Sequence, residues 1–143
     1  WSRGLGDVYK RQDINPITVG KRTNIQDGSI VHVTHKSQYS DGYECHIGSD
    51  VTIGHGCIIH ACTIEDMALV GMGSVILDGT TISKKVIIGA KSLVPSGKTL
   101  ESGYLYMGSP CKKIRPLKDD ELEFLKYSAT HYVNTKNDFL SQS

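Results

Sequence analysis

Six histidines stand in a chain of 143 residues that has only one Trp and two Phe. Imidazole is the side chain whose charge changes nearest neutral pH, and it is also the commonest metal ligand. His32, His55 and His60 are the three that matter by spacing. Three imidazoles around one ion leave a fourth position for water, which is a catalytic zinc arrangement. Fe(II) and Co(II) also suit imidazole ligands. His35, His46 and His131 have no such spacing and read as solvent-facing polar residues. The cysteines, Cys45, Cys57, Cys62 and Cys111, form no C-x-x-C pair, so a thiolate site is not expected. Cys57 and Cys62 read as small fillers.

A repeat decides whether those rings can meet. Val19, Ile25 and Val31 are six residues apart, and so are Ile47, Ile53 and Ile59. The step continues through Ile64, Val70, Ile76, Ile82, Ile88, Val94 and Leu100. Glycine often follows the aliphatic, as at Gly20, Gly48, Gly54, Gly71 and Gly89. Four residues after the aliphatic come small or modest side chains such as Ser29, Cys57, Ala68, Ser74 and Ser92. A period of six is neither helical nor a simple alternating strand. It fits a short strand plus a tight turn, three of which close a triangular coil of about 18 residues, as in parallel β-helices. Inward aliphatics then stack at the strand spacing of about 4.8 Å, each contributing about 1.5–3 kcal/mol of burial. The expected fold is mainly β, a left-handed parallel β-helix of hexapeptide repeats with a C-terminal α-helix.

Two breaks interrupt the register. The step from Ile59 to Ile64 is five, a one-residue deletion. Between Val31 and Ile47 a polar insert of ten residues, from about Lys36 to Cys45, reads as a loop expelled from a corner.

That register turns spacing into geometry. His32 follows Val31 and His60 follows Ile59, so both take the outward slot, one coil apart once the insert is discounted. His55, two after Ile53, sits at a corner pointing away from them. One coil struggles to bring all three rings to one ion. Three coils packed side by side would set His55 of one chain against His32 and His60 of the next. Gln26 and Asp27 fall in the unit below His55 and project toward the same cleft, where an amide or carboxylate could orient a ligand ring or a water. An intersubunit hydrogen bond or ion pair is the plainer role for them.

The remaining segments divide the chain. Residues 1–12 fit no repeat and read as foreign to the fold; residues 13–112 form the β-helix domain; residues 113–143 form a helix and tail. Asp119, Asp120 and Glu121 suit a helix N-terminus. Leu122, Leu125, Ala129 and Tyr132/Val133 recur at helical spacing, so an amphipathic helix is expected over residues ~118–137. The net charge of +1 gives no reason to expect nucleic acid or an anionic membrane as partner. No apolar run approaches the length of a membrane span, and a reducing, cytoplasmic setting is expected from the cysteine usage.

The run VGKRTNIQDGSIVH ending at His32, then IGHGCIIH ending at His60 and VGMGSV from Val70, resembles the γ-class carbonic anhydrase family over about residues 13–134. The resemblance implies a homotrimer with metal at subunit interfaces and His32, His55 and His60 as ligands. It places Gln26, Asp27 and Asn24 beside the metal, and Tyr132, Val133 and Asn134 in a C-terminal motif near the pocket. It implies an intersubunit pair of Arg11 and Asp13. The chain departs from well-known active members in two ways: its loop is short, with only Asp41 and Glu44 as acids, and Ile14 replaces a Glu.

The implied activity is reversible hydration of CO2 to bicarbonate by a carbonate dehydratase, with the metal lowering the pKa of its water to about 7. Gln26 would orient the hydroxide, and the proton would leave by Glu44, His35 or buffer. Two other readings compete: a catalytically silent metal-binding trimeric scaffold, and a hexapeptide-repeat acyltransferase with one catalytic His and a coenzyme A groove.

Overall fold

The computed structural model describes residues 16–34, 36–39 and 42–128. Arg11, Asp13, His35, Asp41, His131, Tyr132, Val133 and Asn134 lie outside the described residues, as do Ile14 and Ala129.

Short strands follow one another in chain order: β1 Ile17–Val19, β2 Asn24–Ile25, β3 Ile30–His32, β4 Cys45–Ile47, β5 Thr52–Ile53, β6 Ile58–His60, β7 Thr63–Ile64 and β8 Leu69–Val70. They continue as β9 Val75–Ile76, β10 Thr81–Ile82, β11 Ile87–Ile88, β12 Leu93–Val94, β13 Thr99–Leu100, β14 Tyr104–Gly108 and β15 Cys111–Pro116. Every third strand pairs, which makes three parallel sheets: β1-β4-β7-β10-β13, β2-β5-β8-β11-β14 and β3-β6-β9-β12. We term these faces A, B and C. The winding is that of a left-handed parallel β-helix.

The aliphatic column is the core. Ile47, Ile53, Ile59, Ile64, Val70, Ile76, Ile82, Ile88, Val94 and Leu100 are buried, and Val19, Ile25 and Val31 pack against them, partly buried. The small corner residues Val51, Cys57, Ala68, Ser74, Thr80, Val86 and Ser92 are buried too. Buried corner hydroxyls are satisfied locally: Thr80 Oγ1 donates to Pro95 O at 2.7 Å and Ser92 Oγ to Gly89 O at 2.7 Å.

Two local constraints explain the glycines. At Gly71, just past the inward Val70, an added Cβ would stand 2.5 Å from Ala90 N of the next coil. The coils approach too closely there for a side chain. The third residue after the aliphatic closes the corner with positive φ, as at Gly97 (φ 72°), and also at Asp50, Met67, Lys85 and Lys91, which are not glycine. The one-residue deletion is absorbed at Ala61 (φ 45°), and it makes the register of β6 on β9 seventeen residues rather than eighteen, with Ile58 opposite Val75.

The insert leaves the coil where Thr34 bridges Tyr43 in antiparallel fashion. Cys45, expected inside the insert, instead belongs to β4, opposite Ile17, and is buried. A larger departure follows β14. The chain reverses through a cis Ser109–Pro110 bond, and β15 returns antiparallel along β14 on face B. The helix that follows, α1, spans 119–128 among the described residues. Lys118 N–H donates to Glu121 Oε1 at 2.9 Å, which satisfies a free amide at the helix start. Arg115 grips the same carboxylate with two bonds of 2.6 and 2.9 Å. The Arg115 guanidinium, helped by the Lys118 amide, holds the Glu121 carboxyl down at about 2. α1 lies along face B: Leu125 and Ser128 are buried, and Ser128 Oγ is 3.3 Å from Thr52 Oγ1 of β5. Among the described residues no helix is long and apolar enough to cross a membrane.

Candidate metal centre

His32 ends β3 and His60 ends β6, and the two are register partners on face C. Parallel stacking puts their rings 4.8 Å apart at a 31° tilt, with His32 Nδ1 3.1 Å from His60 Nε2. Two nitrogens bound to one tetrahedral ion at 2.0–2.1 Å stand about 3.3–3.4 Å apart. The pair therefore fits two corners of such a site with little adjustment.

The other nitrogen of His60 is engaged behind the cleft. Asp78 Oδ1 meets His60 Nδ1, and the Thr34 hydroxyl donates to Asp78 Oδ2. Thr34 Oγ1 also lies 3.5 Å from His60 Nδ1. A neutral imidazole that donates from Nδ1 keeps its lone pair on Nε2, the atom facing His32. Neither Asp78 nor Thr34 was singled out in the sequence. The register offered no direct signal for Asp78: with the seventeen-residue step between β6 and β9, it lies one residue past the position opposite His60.

His55 stands apart. It is exposed in the turn between β5 and β6, and its carbonyl accepts from Gly73 N–H at 2.8 Å. Among the described residues no three His, Cys, Asp or Glu side chains converge on one point. The chain alone brings together two of the three expected ligands. Gln26 and Asp27 occupy the turn after β2, in register beneath Gly54 and His55: Gln26 N–H donates to Ile53 O at 2.9 Å, and Gly56 N–H to Asp27 O at 3.0 Å. Asp27 is exposed; Gln26 and Asn24 are half-buried.

Glu44 is drawn elsewhere. Its Oε2 lies 2.5 Å from His46 Nε2, and His46 Nδ1 lies 2.5 Å from Thr18 Oγ1, all on or beside face A. His46, expected to be merely solvent-facing, is half-buried and held at both nitrogens, because parallel stacking sets the Thr18 hydroxyl directly opposite it. The cysteines are fillers by position: Cys45, Cys57 and Cys62 are buried and unpaired as disulfides. The neighbouring Cys45 thiol, then burial, pushes the Cys62 thiol far up, and burial pushes Cys57 up as well.

Comparison with known proteins gives one fold carried under carbonic anhydrase and transferase names. Protein YrdA of Escherichia coli K12 is 56% identical over 136 residues, which cover 94% of this chain and 74% of that one. Mitochondrial gamma carbonic anhydrase 2 of Arabidopsis thaliana is 42% identical over 124 residues, covering 87% of this chain and 45% of the plant protein. Among solved structures, a hexapeptide transferase family protein from Anaplasma phagocytophilum superposes with a TM-score of 0.77 at 38% identity, over 86% of this chain and 69% of that one. No protein-family model matches the chain.

Proposed function

Because the chain belongs to the γ-carbonic-anhydrase-like family of hexapeptide-repeat proteins, we propose that it is a metal-dependent catalyst of reversible CO2 hydration, acting at the interfaces of a homotrimer. The observation that carries this reading is the His32–His60 pair, two ring nitrogens 3.1 Å apart. A divalent ion, zinc in the first instance and Fe(II) or Co(II) as alternatives, would supply a water acid enough to ionise near neutral pH.

His32 and His60 would hold that ion from one chain and His55 from a second copy. The exposed corner position of His55, apart from the His32–His60 pair of its own chain, suits this. Face C supports self-association. Its outward column beside the histidines is Ile30, Ile58, Val75 and Leu93. Ile30 is 56% exposed and Ile58 39%, an apolar ladder that a neighbour would cover. The Gln26 amide, next to the turn that carries Asp27, would orient the attacking oxygen by hydrogen bonding, and the apolar ladder would exclude bulk water from CO2.

The scaffold reading has one observation in its favour. Glu44, one of the candidates for exporting the proton, is committed to His46 on another face, and Asp78 is committed to His60. Metal analysis of the purified oligomer with a stopped-flow CO2-hydration assay decides. About one metal per chain with turnover that His55→Ala abolishes is expected. Metal without turnover supports the scaffold, and coenzyme A binding without metal supports an acyltransferase.

A further inference from the structure

We propose that Asp78, braced by Thr34, is the positioning residue that fixes His60 in its metal-binding tautomer. This rests on the reading that His32 and His60 hold a divalent ion. Asp78 lies two residues past the buried Ile76, in the turn that leads to Gly79. The shortened step at Ala61 draws this turn alongside the end of β6. One Asp78 oxygen meets His60 Nδ1 and the other accepts the Thr34 hydroxyl. A carboxylate can only accept, so it selects the imidazole that carries its proton on Nδ1 and presents the Nε2 lone pair to the cleft. Thr34 holds the carboxylate by its other oxygen.

The same geometry makes the isosteric amide a poor substitute. In Asp78→Asn, the Thr34 hydroxyl keeps its acceptor only when the amide oxygen faces it, and the proposal takes that orientation. The amide nitrogen is then the atom facing His60 Nδ1. It donates there, which drives the ring proton to Nε2, the atom a metal needs bare. Asp78→Ala merely removes the orienting group. The proposal therefore orders the variants against size and shape: Asn binds metal no better than Ala, although Asn preserves the packing.

The test is Co(II) affinity of the assembled protein by competitive titration, with the proton position on His60 read by 15N imidazole NMR on metal-free samples. Asp78→Asn is expected to bind Co(II) about 10–100-fold more weakly than the unaltered protein. Its His60 proton should move from Nδ1 to Nε2, and the thermal unfolding of the metal-free form should not change. Should Asp78→Ala fail to fold, the proton position in Asp78→Asn decides alone. Unaltered Co(II) affinity in Asp78→Asn, or a His60 proton that stays on Nδ1, overturns the proposal and leaves the metal reading standing. An unaltered protein that binds no Co(II) overturns both.

Discussion

Two histidines in this chain are each held by a carboxylate, with opposite consequences. At His60 the carboxylate occupies Nδ1, and Nε2 faces a second imidazole across 3.1 Å. At His46 Glu44 occupies Nε2 while Thr18 occupies Nδ1, so no nitrogen remains for an ion. His60→Ala should therefore strip the bound metal, and His46→Ala should leave the metal content unchanged, as measured by elemental analysis of the oligomer. The thiols obey the same accounting of surroundings. Cys57 and Cys62 are buried and their pKa values raised, so little thiolate forms. An aromatic disulfide reagent near neutral pH should leave both unmodified in the native protein and label them on unfolding. At this scale the sequence was readable where the coil period applied. It set His32 on His60, but not Asp78, which lies one residue past the position opposite His60 because the step there is seventeen. Thr34 was not readable, because its reach to Asp78 depends on how the insert leaves the coil. Nor was the pairing of Glu44 with His46, since a period says nothing of which loop side chain folds back.

Each strand here is only two or three residues long through most of the coil, so the corners carry the fold as much as the strands do. Glycine serves them in two distinct ways, and substitution should separate these. Gly97→Ala meets no neighbouring atom but must hold φ near 72°, which should cost about 1 kcal/mol. Gly71→Ala meets backbone at 2.5 Å and should cost about 3 kcal/mol, because the next coil must move. Urea unfolding midpoints check the order. The glycine period was visible in the sequence, but the positive-φ position was not, since Asp50, Met67, Lys85 and Lys91 fill it as well. The β14–β15 hairpin was missed for a related reason: it departs from the six-residue step, and face B continues in the antiparallel sense. It presents Arg115 to Glu121 and so seats α1. The Glu121 pKa is lowered to about 2 from an ordinary 4.5, so its contribution is present above about 4.5 and lost as pH falls toward 2. Glu121→Gln should lower stability near neutral pH, flatten that part of the acid-unfolding curve, followed by the helical circular dichroism signal, and change little near pH 2.

The three faces of the prism present different surfaces, and this difference bears on what the whole molecule can do. Face A turns Thr18, His46, Thr63, Thr81 and Thr99 outward. Face B is occupied by α1. Face C presents its aliphatic ladder with His32 and His60 at the strand ends. The six-residue period revealed the prism without revealing which face would stay bare, because that depends on where α1 comes to rest. If the bare face meets the His55 corner of a second copy, each complete site draws residues from two chains, and inactive variants should rescue one another. A His55→Ala chain keeps His32 and His60; a His60→Ala chain keeps His55. In a ring of three, every mixed trimer then has one interface where both intact halves meet. Unfolding the two variants together at equal amounts and refolding them should restore about a quarter of the native metal content and CO2 turnover, since about three quarters of random trimers are mixed and each recovers one site in three. Sites contained within a single chain would give no recovery at any mixing ratio.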